Sequence, residues 1–384
     1  MKTIVATTII QKLIPWITPL IFFISCQIAL DHGILGLVGF SIIGAVSFFI
    51  IYFYQKGQTF QQLDRWLHIF IYSLYTIELL TCLLMVGKMF ALLFINNIPY
   101  YTIFSLITIV AVILIFLRVN QEGQAITTVI LGLIFSFLIP TLVYLNVSIP
   151  TVYSGLHFLA NEMLRFDSRE TWILLVNIGI ILIAHQFLHH YFSPNGKTKE
   201  KIGPTIISAL IWMVVPISLG SIAFLAKAEA IWPEQSDHIC ILVIQQFGGH
   251  FGQVLFLMTN ILILIGQGVR MWGNVRSSES QRFPLIALLY TFVPVVIVTF
   301  FKITLLDVLL YFGLLWGPLT GVFLWTSANQ LLNRFVLGAG FIVSVVTAIL
   351  YSLELGIIAG SVFSCLTMMV INKYSRKKLM KAAA

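Results

Sequence analysis

Apolar runs of about twenty residues recur from one end of the chain to the other, each long enough to cross the hydrocarbon core of a bilayer. About twelve are delimited by polar residues, at 11–30, 34–54, 67–95, 98–117, 124–146, 171–192, 204–231, 250–272, 283–301, 304–326, 334–352 and 354–372. The longest polar stretches between them, near 148–170 and 193–202, are too short for an extramembrane domain. The pattern predicts an all-α polytopic membrane protein, with residues 1–384 forming a single transmembrane domain. Composition agrees: 9% of the residues are charged, against about 25% in a soluble domain. The first partner expected is therefore the lipid bilayer.

Charge orients the spans. With the N-terminus inside, the inside segments collect Lys2, Lys12, Lys56, Arg65, Arg118, Lys197, Lys199, Lys201, Arg276, Arg282 and Arg334. The tail adds Lys373, Arg376, Lys377, Lys378 and Lys381. The outside loops hold few basic residues, such as Arg165, Arg169, Lys227 and Lys302. This asymmetry predicts a bacterial-type inner membrane protein with both termini cytoplasmic, and the basic tail at 373–384 faces anionic lipid. Elsewhere the basic residues are scattered, so no nucleic-acid partner is expected. The first 26 residues, "MKTIVATTIIQKLIPWITPLIFFISC", faintly resemble a lipoprotein signal, but Lys12 interrupts the run and Phe23 fits that pattern poorly; the segment reads as a retained span.

Cys26, Cys82, Cys240 and Cys365 have no metal-ligand spacing, so neither a disulfide nor a metal site is expected. His185 and His189 form an i,i+4 pair with His190 beside them, but no third ligand is evident. Nothing suggests covalent catalysis, a phosphate loop or a cofactor, so the chain does not read as an enzyme. Two connections are more than turns. Residues 55–66, "QKGQTFQQLDRW", read as a short interfacial helix. Residues 147–170, with Leu156, Phe158, Leu159, Met163 and Leu164 among polar neighbours, read as an amphipathic helix on the outer surface.

Polar residues inside the apolar runs are the candidate site. Glu78 is a carboxylate within the third run. Asn177, Gly179, His185 and Gln186 interrupt the sixth, where they either expose backbone to a solute or are satisfied between helices. Arg270, in "LILIGQGVRMWGN", lies near the end of the eighth. A charge at the bilayer centre costs roughly 2.5–3.5 kcal/mol on insertion scales. Arg270 is either a snorkelling anchor near Arg276 or part of a site. Glycines every four residues, at Gly313, Gly317 and Gly321 and at Gly356 and Gly360, read as close helix packing.

Several stretches resemble the sodium:solute symporter family, relatives of the proline, sugar and urea symporters. In "QFLHHYFSPNGKTKEKIGPTIISALIWMVVPISLGSIAFLA", Gln186, Lys199, Lys201, Trp212, Pro216 and Gly220 follow the family's order of a Gln-bearing helix end, a basic loop and an apolar helix with an inner Pro and Gly. "HGILGLVGFSIIGAVSFFIIYF" with "QTFQQLDRW" is similar to its second helix and the segment after it. The resemblance runs from about residue 11 to 330. It implies the leucine-transporter (LeuT) fold: two inverted five-helix repeats around a midplane site, with helices 1 and 6 broken there. The ten-helix core would cover about 11–326, with two additional helices at 334–372.

The departures bear on the ion. The family's Thr-Asp and Gln at the start of helix 5 are replaced in "QAITTVIL", which offers Thr127, Thr128 and Leu131. Its helix-8 sodium hydroxyls align with "IGQGVR", so Gly266 and Gln267 stand in their place and Arg270 has arrived. The helix-1 break is expected in "FFISCQIALDHG", which makes Ser25 and Gln27 candidates. The resemblance then implies a secondary transporter of a small polar solute, sodium-independent, with Arg270 in place of the sodium. Its site would comprise Ser25, Gln27, Glu78, Asn177, Gly179, Gln186, Gly266, Gln267 and Arg270. The alternative is a non-transporting relative that acts as a membrane sensor or scaffold for a partner protein.

Overall fold

The computed structural model describes residues 9–10, 12–13, 16–57, 121–166, 168–191, 202–276, 304–325 and 330–383, and among these there is no β-strand. Six described helices are long and apolar enough to cross a bilayer, or seven if one bent pair is a single span. The chain is a multi-pass membrane protein. Its expected spans at 67–95, 98–117 and 283–301 lie outside the described residues.

The first two expected spans are two helices joined at Gly33, described together as α1 (Pro19–Gly57). At about 1.5 Å per residue, 39 residues would reach far beyond a hydrocarbon core of about 30 Å. The element does not run straight. Gly33 has φ 61° and ψ −155°, a region that essentially only glycine occupies, and the chain reverses there. A Cβ on Gly36 would lie 3.2 Å from the carbonyl oxygen of Ile28, eight residues earlier. Gly220 meets both the Ser25 carbonyl and the Leu37 side chain, which a straight helix would hold about 18 Å apart. The element thus has two arms, 19–32 and 34–57, and the start of the second, through Leu37, folds back along the first. A Cβ at Gly33 would also collide with the backbone of Met163, so the turn is seated on the segment after the fifth span.

The chain divides into two compact units. The first contains residues up to Ile42, Tyr72–Ser168 and Gly203–Leu306. Its described helices, besides the first arm of α1, are α2 (Gln121–Asn146), α3 (Ile149–Leu159), α5 (Ile202–Ala228), α6 (Ile239–Phe247) and α7 (Gly249–Arg276). Helix α7 packs along α2. Residues 130–146 of α2 and α3 meet at 82°. The corner is encoded locally: Ser148 caps α3 by accepting from the Thr151 N–H at 3.3 Å, and Pro150 occupies its first turn. The expected amphipathic segment is thus α3 plus the short turn Asn161–Leu164. Val152, Leu156, Ala160 and Met163 are buried, while Ile149, Tyr153, Phe158 and Leu159 are exposed.

The second unit contains Ile43–Ile71, Arg169–Ile202 and Asp307–Ala384. Here the second arm of α1 joins α4 (Arg169–Tyr191), α8 (Leu305–Leu324), α9 (Gln330–Leu350) and α10 (Leu353–Ala383). The glycine repeats are the packing surface. A Cβ at Gly317 would lie 2.7 Å from Ser361 Oγ, one at Gly313 would meet Ile181 and Ile357, and one at Gly356 would meet Ala348 at 2.8 Å. Tyr54, Phe187 and Phe323 pack edge-to-face and stacked, and the Tyr54 hydroxyl donates to the Phe323 carbonyl. The basic tail continues α10 as helix to Ala383.

Candidate functional site

The helical path of the first span is interrupted at residues 16–18, between helical residues 9–10 and 12–13 and α1. The Leu13 carbonyl closes the preceding turn, accepting from the N–H groups of Trp16 (2.9 Å) and Ile17 (3.1 Å). The Ile21 N–H, which would continue a helix back to Ile17, instead reaches the Thr18 carbonyl (3.2 Å) and hydroxyl (3.4 Å). Pro19 has no N–H to give. Its ring also disfavours helical backbone at Thr18. The Ile17 carbonyl is left without its ordinary intrahelical donor.

The break is enclosed within the first unit. A Cβ at Gly132 on α2 would lie 2.8 Å from Ile17 Cγ2 and 3.1 Å from Ile263 Cδ1 on α7. Phe23 and Phe256 meet edge-to-face at 5.8 Å. Helix α7 thus tracks the first span from Phe256 to Ile263. The Trp16 ring packs on Trp212 of α5 at 4.9 Å, and Phe40 meets Trp212 edge-to-face at 6.1 Å. The indole N–H of Trp212 is fully buried and has no acceptor among the described residues. Lys12 Nζ donates to Thr205 Oγ1 at 2.8 Å, and the Ser208 hydroxyl reaches the Ile9 carbonyl at 3.4 Å. These contacts tie the segment before the break to the start of α5.

The break therefore lies upstream of the stretch "FFISCQIALDHG", in which the sequence resemblance locates it. That stretch is helical up to Gly33. Its polar side chains bond locally or between helices: the Ser25 hydroxyl donates to the Ile21 carbonyl at 2.6 Å. Gln27 uses both ends of its amide, donating to Ser236 Oγ at 2.9 Å and accepting from the Leu306 N–H at 3.1 Å. The missed signal is "IPWITP", two prolines four residues apart inside an apolar run. Trp16, Ile17, Thr18, Gly132 and Trp212, which surround the break, are candidates that the sequence resemblance does not point to.

In the second unit α4 runs unbroken through Asn177, Gly179, His185 and Gln186. Asn177 is buried and donates back to the Ile173 carbonyl at 2.8 Å, which keeps the helix intact. Its Oδ1, and Nε2 of the buried Gln186, find no partner among the described residues. Gly179 lies against Ile43, and the His185 ring packs on Trp316 at 5.2 Å. Gly266, Gln267 and Arg270 belong to the backbone of α7, but their side chains lie outside the described residues, as does Glu78. Among the described residues no cluster of His, Cys, Asp and Glu is arranged to hold a metal.

Comparison by sequence finds no matching family profile and no matching curated protein. Comparison by structure does. A Na+-coupled sialic acid symporter in a substrate-bound outward-open state superposes with a TM-score of 0.64 at 14% identity, covering 96% of this chain and 89% of the symporter. A nucleobase-cation-symport-1 family transporter, in a closed conformation with bromovinylhydantoin bound, superposes with a TM-score of 0.54 at 13% identity, covering 97% and 92%. The chain has the fold of these transporters.

Proposed function

We propose that the chain is a secondary transporter of a small polar solute, sodium-independent, in which Arg270 takes the place of the coupling sodium. The observation that carries this reading is the interruption of the first span at residues 16–18, packed against Gly132 of α2 with Ile263 of α7 beside it. A broken helix exposes backbone carbonyls inside an apolar protein, and such groups need a ligand or a charged partner. Phe256, Ile263 and Arg270 recur every seven residues on α7, so they share one helical face. Phe256 meets Phe23 downstream of the break, and Ile263 lies at the break, across Gly132 from Ile17. Arg270 follows two turns further on. A guanidinium brings five donors and a permanent charge to carbonyls that sodium would otherwise coordinate. The solute would meet the Trp212 indole N–H, the buried donor beside the break.

A second reading, a non-transporting sensor or scaffold that works through a partner protein, is favoured by the continuity of α4. A helix unbroken at its polar residues offers no backbone groups to a solute. Uptake in proteoliposomes, across a panel of small neutral and anionic solutes and with or without a sodium gradient, separates the two. Sodium-independent uptake supports transport. Failure of every solute, together with co-purification of a stoichiometric partner, supports the scaffold. Stimulation by sodium removes the role given to Arg270.

A further inference from the structure

Helices α9 and α10 pack antiparallel in a regular register. A Cβ at Gly356 would meet Ala348 at 2.8 Å, one at Gly360 would meet Ser344, and one at Gly340 would lie 3.5 Å from the Ser364 Cβ. Val336 and Met368 continue the series, buried together with Val322 of α8. Each four residues back along α9 thus match four residues forward along α10, and the next step sets Leu332 opposite Asn372. There the Asn372 side chain donates from Nδ2 to the Trp325 carbonyl at 2.7 Å, which joins the end of α8 to the same corner.

The corner carries charge. Arg334, near the start of α9, and Lys373, next to Asn372, are both exposed. The register sets Arg334 level with residue 370, so the two differ in height by about 4.5 Å, on helices whose axes pack about 8–10 Å apart. Each adjoins an exposed apolar face, with Phe335 and Ile342 on α9 and Leu366 and Met369 on α10. Trp325 and Tyr374, also exposed, stand at the same end. Aromatic rings of this kind sit where a membrane meets water, and the basic-residue asymmetry puts this end on the inner side, where the leaflet is anionic.

We propose that Arg334 and Lys373 form a binding site for the phosphate of an anionic phospholipid at the inner end of the α9–α10 hairpin. The exposed apolar faces take the acyl chains, and the two cations at their edge take the headgroup. Arg334 offers a planar fork to two phosphate oxygens, and Lys373 adds a point charge. The rest of the basic tail plays a different part. α10 continues as helix to Ala383, which carries residues 377 and 381 about 6 and 12 Å further along the axis, toward and past the edge of a headgroup layer about 5–7 Å thick. The tail attracts an anionic surface at long range, whereas Arg334 and Lys373 hold one lipid.

The test uses the full chain, delipidated in a neutral detergent, with retained lipid counted by native mass spectrometry. The probes are phosphatidylglycerol, phosphatidylcholine and glycerol 3-phosphate. Phosphatidylglycerol should bind more tightly than phosphatidylcholine by about tenfold or more, and the difference should shrink at high salt. Arg334→Gln and Lys373→Gln should each weaken phosphatidylglycerol binding by about fivefold. Arg334→Lys and Lys373→Arg should keep most of it, which separates lost charge from lost fold. Replacing Arg376, Lys377, Lys378 and Lys381 together with Gln should leave the preference standing. Equal binding of the two lipids would overturn the proposal. So would a preference that the Arg334 and Lys373 variants leave intact, or one that the tail substitutions remove. Glycerol 3-phosphate bound as tightly as the lipid would make the occupant a soluble anion and overturn the assignment to a lipid. None of these outcomes depends on whether a solute is transported.

Discussion

Ile17 is seated directly over Gly132, at a point where α2 has no side chain and the first span has no helix. A Cβ there would lie 2.8 Å from Ile17 Cγ2, closer than such atoms approach, with Ile263 0.3 Å further off at 3.1 Å. Three segments meet at the break because the middle one presents only backbone. Gly132→Ala is therefore expected to displace Ile17 rather than merely fill space. Overpacking of this kind costs typically about 1–3 kcal/mol. Thermal unfolding in detergent should show it, and Gly203→Ala, with open space around its Cβ, should leave the transition in place.

Pro19 is expected to hold the break open. Replacing it with Ala supplies the missing N–H and relieves the restriction on Thr18, so the helix can propagate backward toward Leu13. Pro19→Ala should slow amide exchange at residues 16–18 and lower solute uptake while folding normally. Equal exchange in the variant and the parent would mean that tertiary packing, not the proline, sets the interruption. Thr18→Ala removes the hydroxyl that accepts from the Ile21 N–H. A lost cap costs about 0.5–2 kcal/mol, and unfolding should register it.

Much of the fold is legible because hydrophobic length has one solution in a bilayer. The division between 11–30 and 34–54 survives even though helix continues on both sides of it, because Asp31, His32 and Gly33 mark a polar point where the backbone can turn. The site is less legible. The break is written locally in "IPWITP", but a Gly-rich break is what the family resemblance implies, and the resemblance places it downstream, in "FFISCQIALDHG". Asn177 and Gly179 look like helix breakers on paper. A buried Asn that donates to the carbonyl four residues back keeps its helix, and nothing in the sequence reveals that choice. Gly132 under Ile17, and Ser236 against Gln27, join residues more than a hundred positions apart and leave no local trace.

Gly33 has neither the dihedrals nor the space for a single added methyl. Its dihedrals are strained for any L side chain, and the Met163 backbone closes the space that a Cβ needs. Backbone strain of this type costs about 1–3 kcal/mol before any collision is counted. Gly33→Ala should abolish monodisperse protein on size exclusion. Gly33→Asn, which tolerates positive φ somewhat better, should fail as well, because the collision with Met163 remains. Recovery by Asn would show that the dihedral alone matters and that the seat on Met163 gives way.

Arg270 is the remaining test, and it separates an anchor from a tethered cation. An anchor near the membrane surface contributes through lipid headgroups, so Lys should replace it fully and Ala should cost little. A cation facing the broken span behaves differently. Its planar fork satisfies several carbonyl oxygens at once, whereas the Lys ammonium is a point charge with three donors. Arg270→Ala should therefore abolish uptake, and Arg270→Lys should retain a part of it, with neither variant acquiring a response to sodium unless the vacated space also gains oxygen ligands. Gly266→Ser with Arg270→Ala restores a hydroxyl where relatives of the fold supply one and removes the competing charge. In that double variant a return of uptake only in the presence of sodium would identify the two cations as occupants of one place. Normal uptake by Arg270→Ala alone would assign the residue to the headgroups.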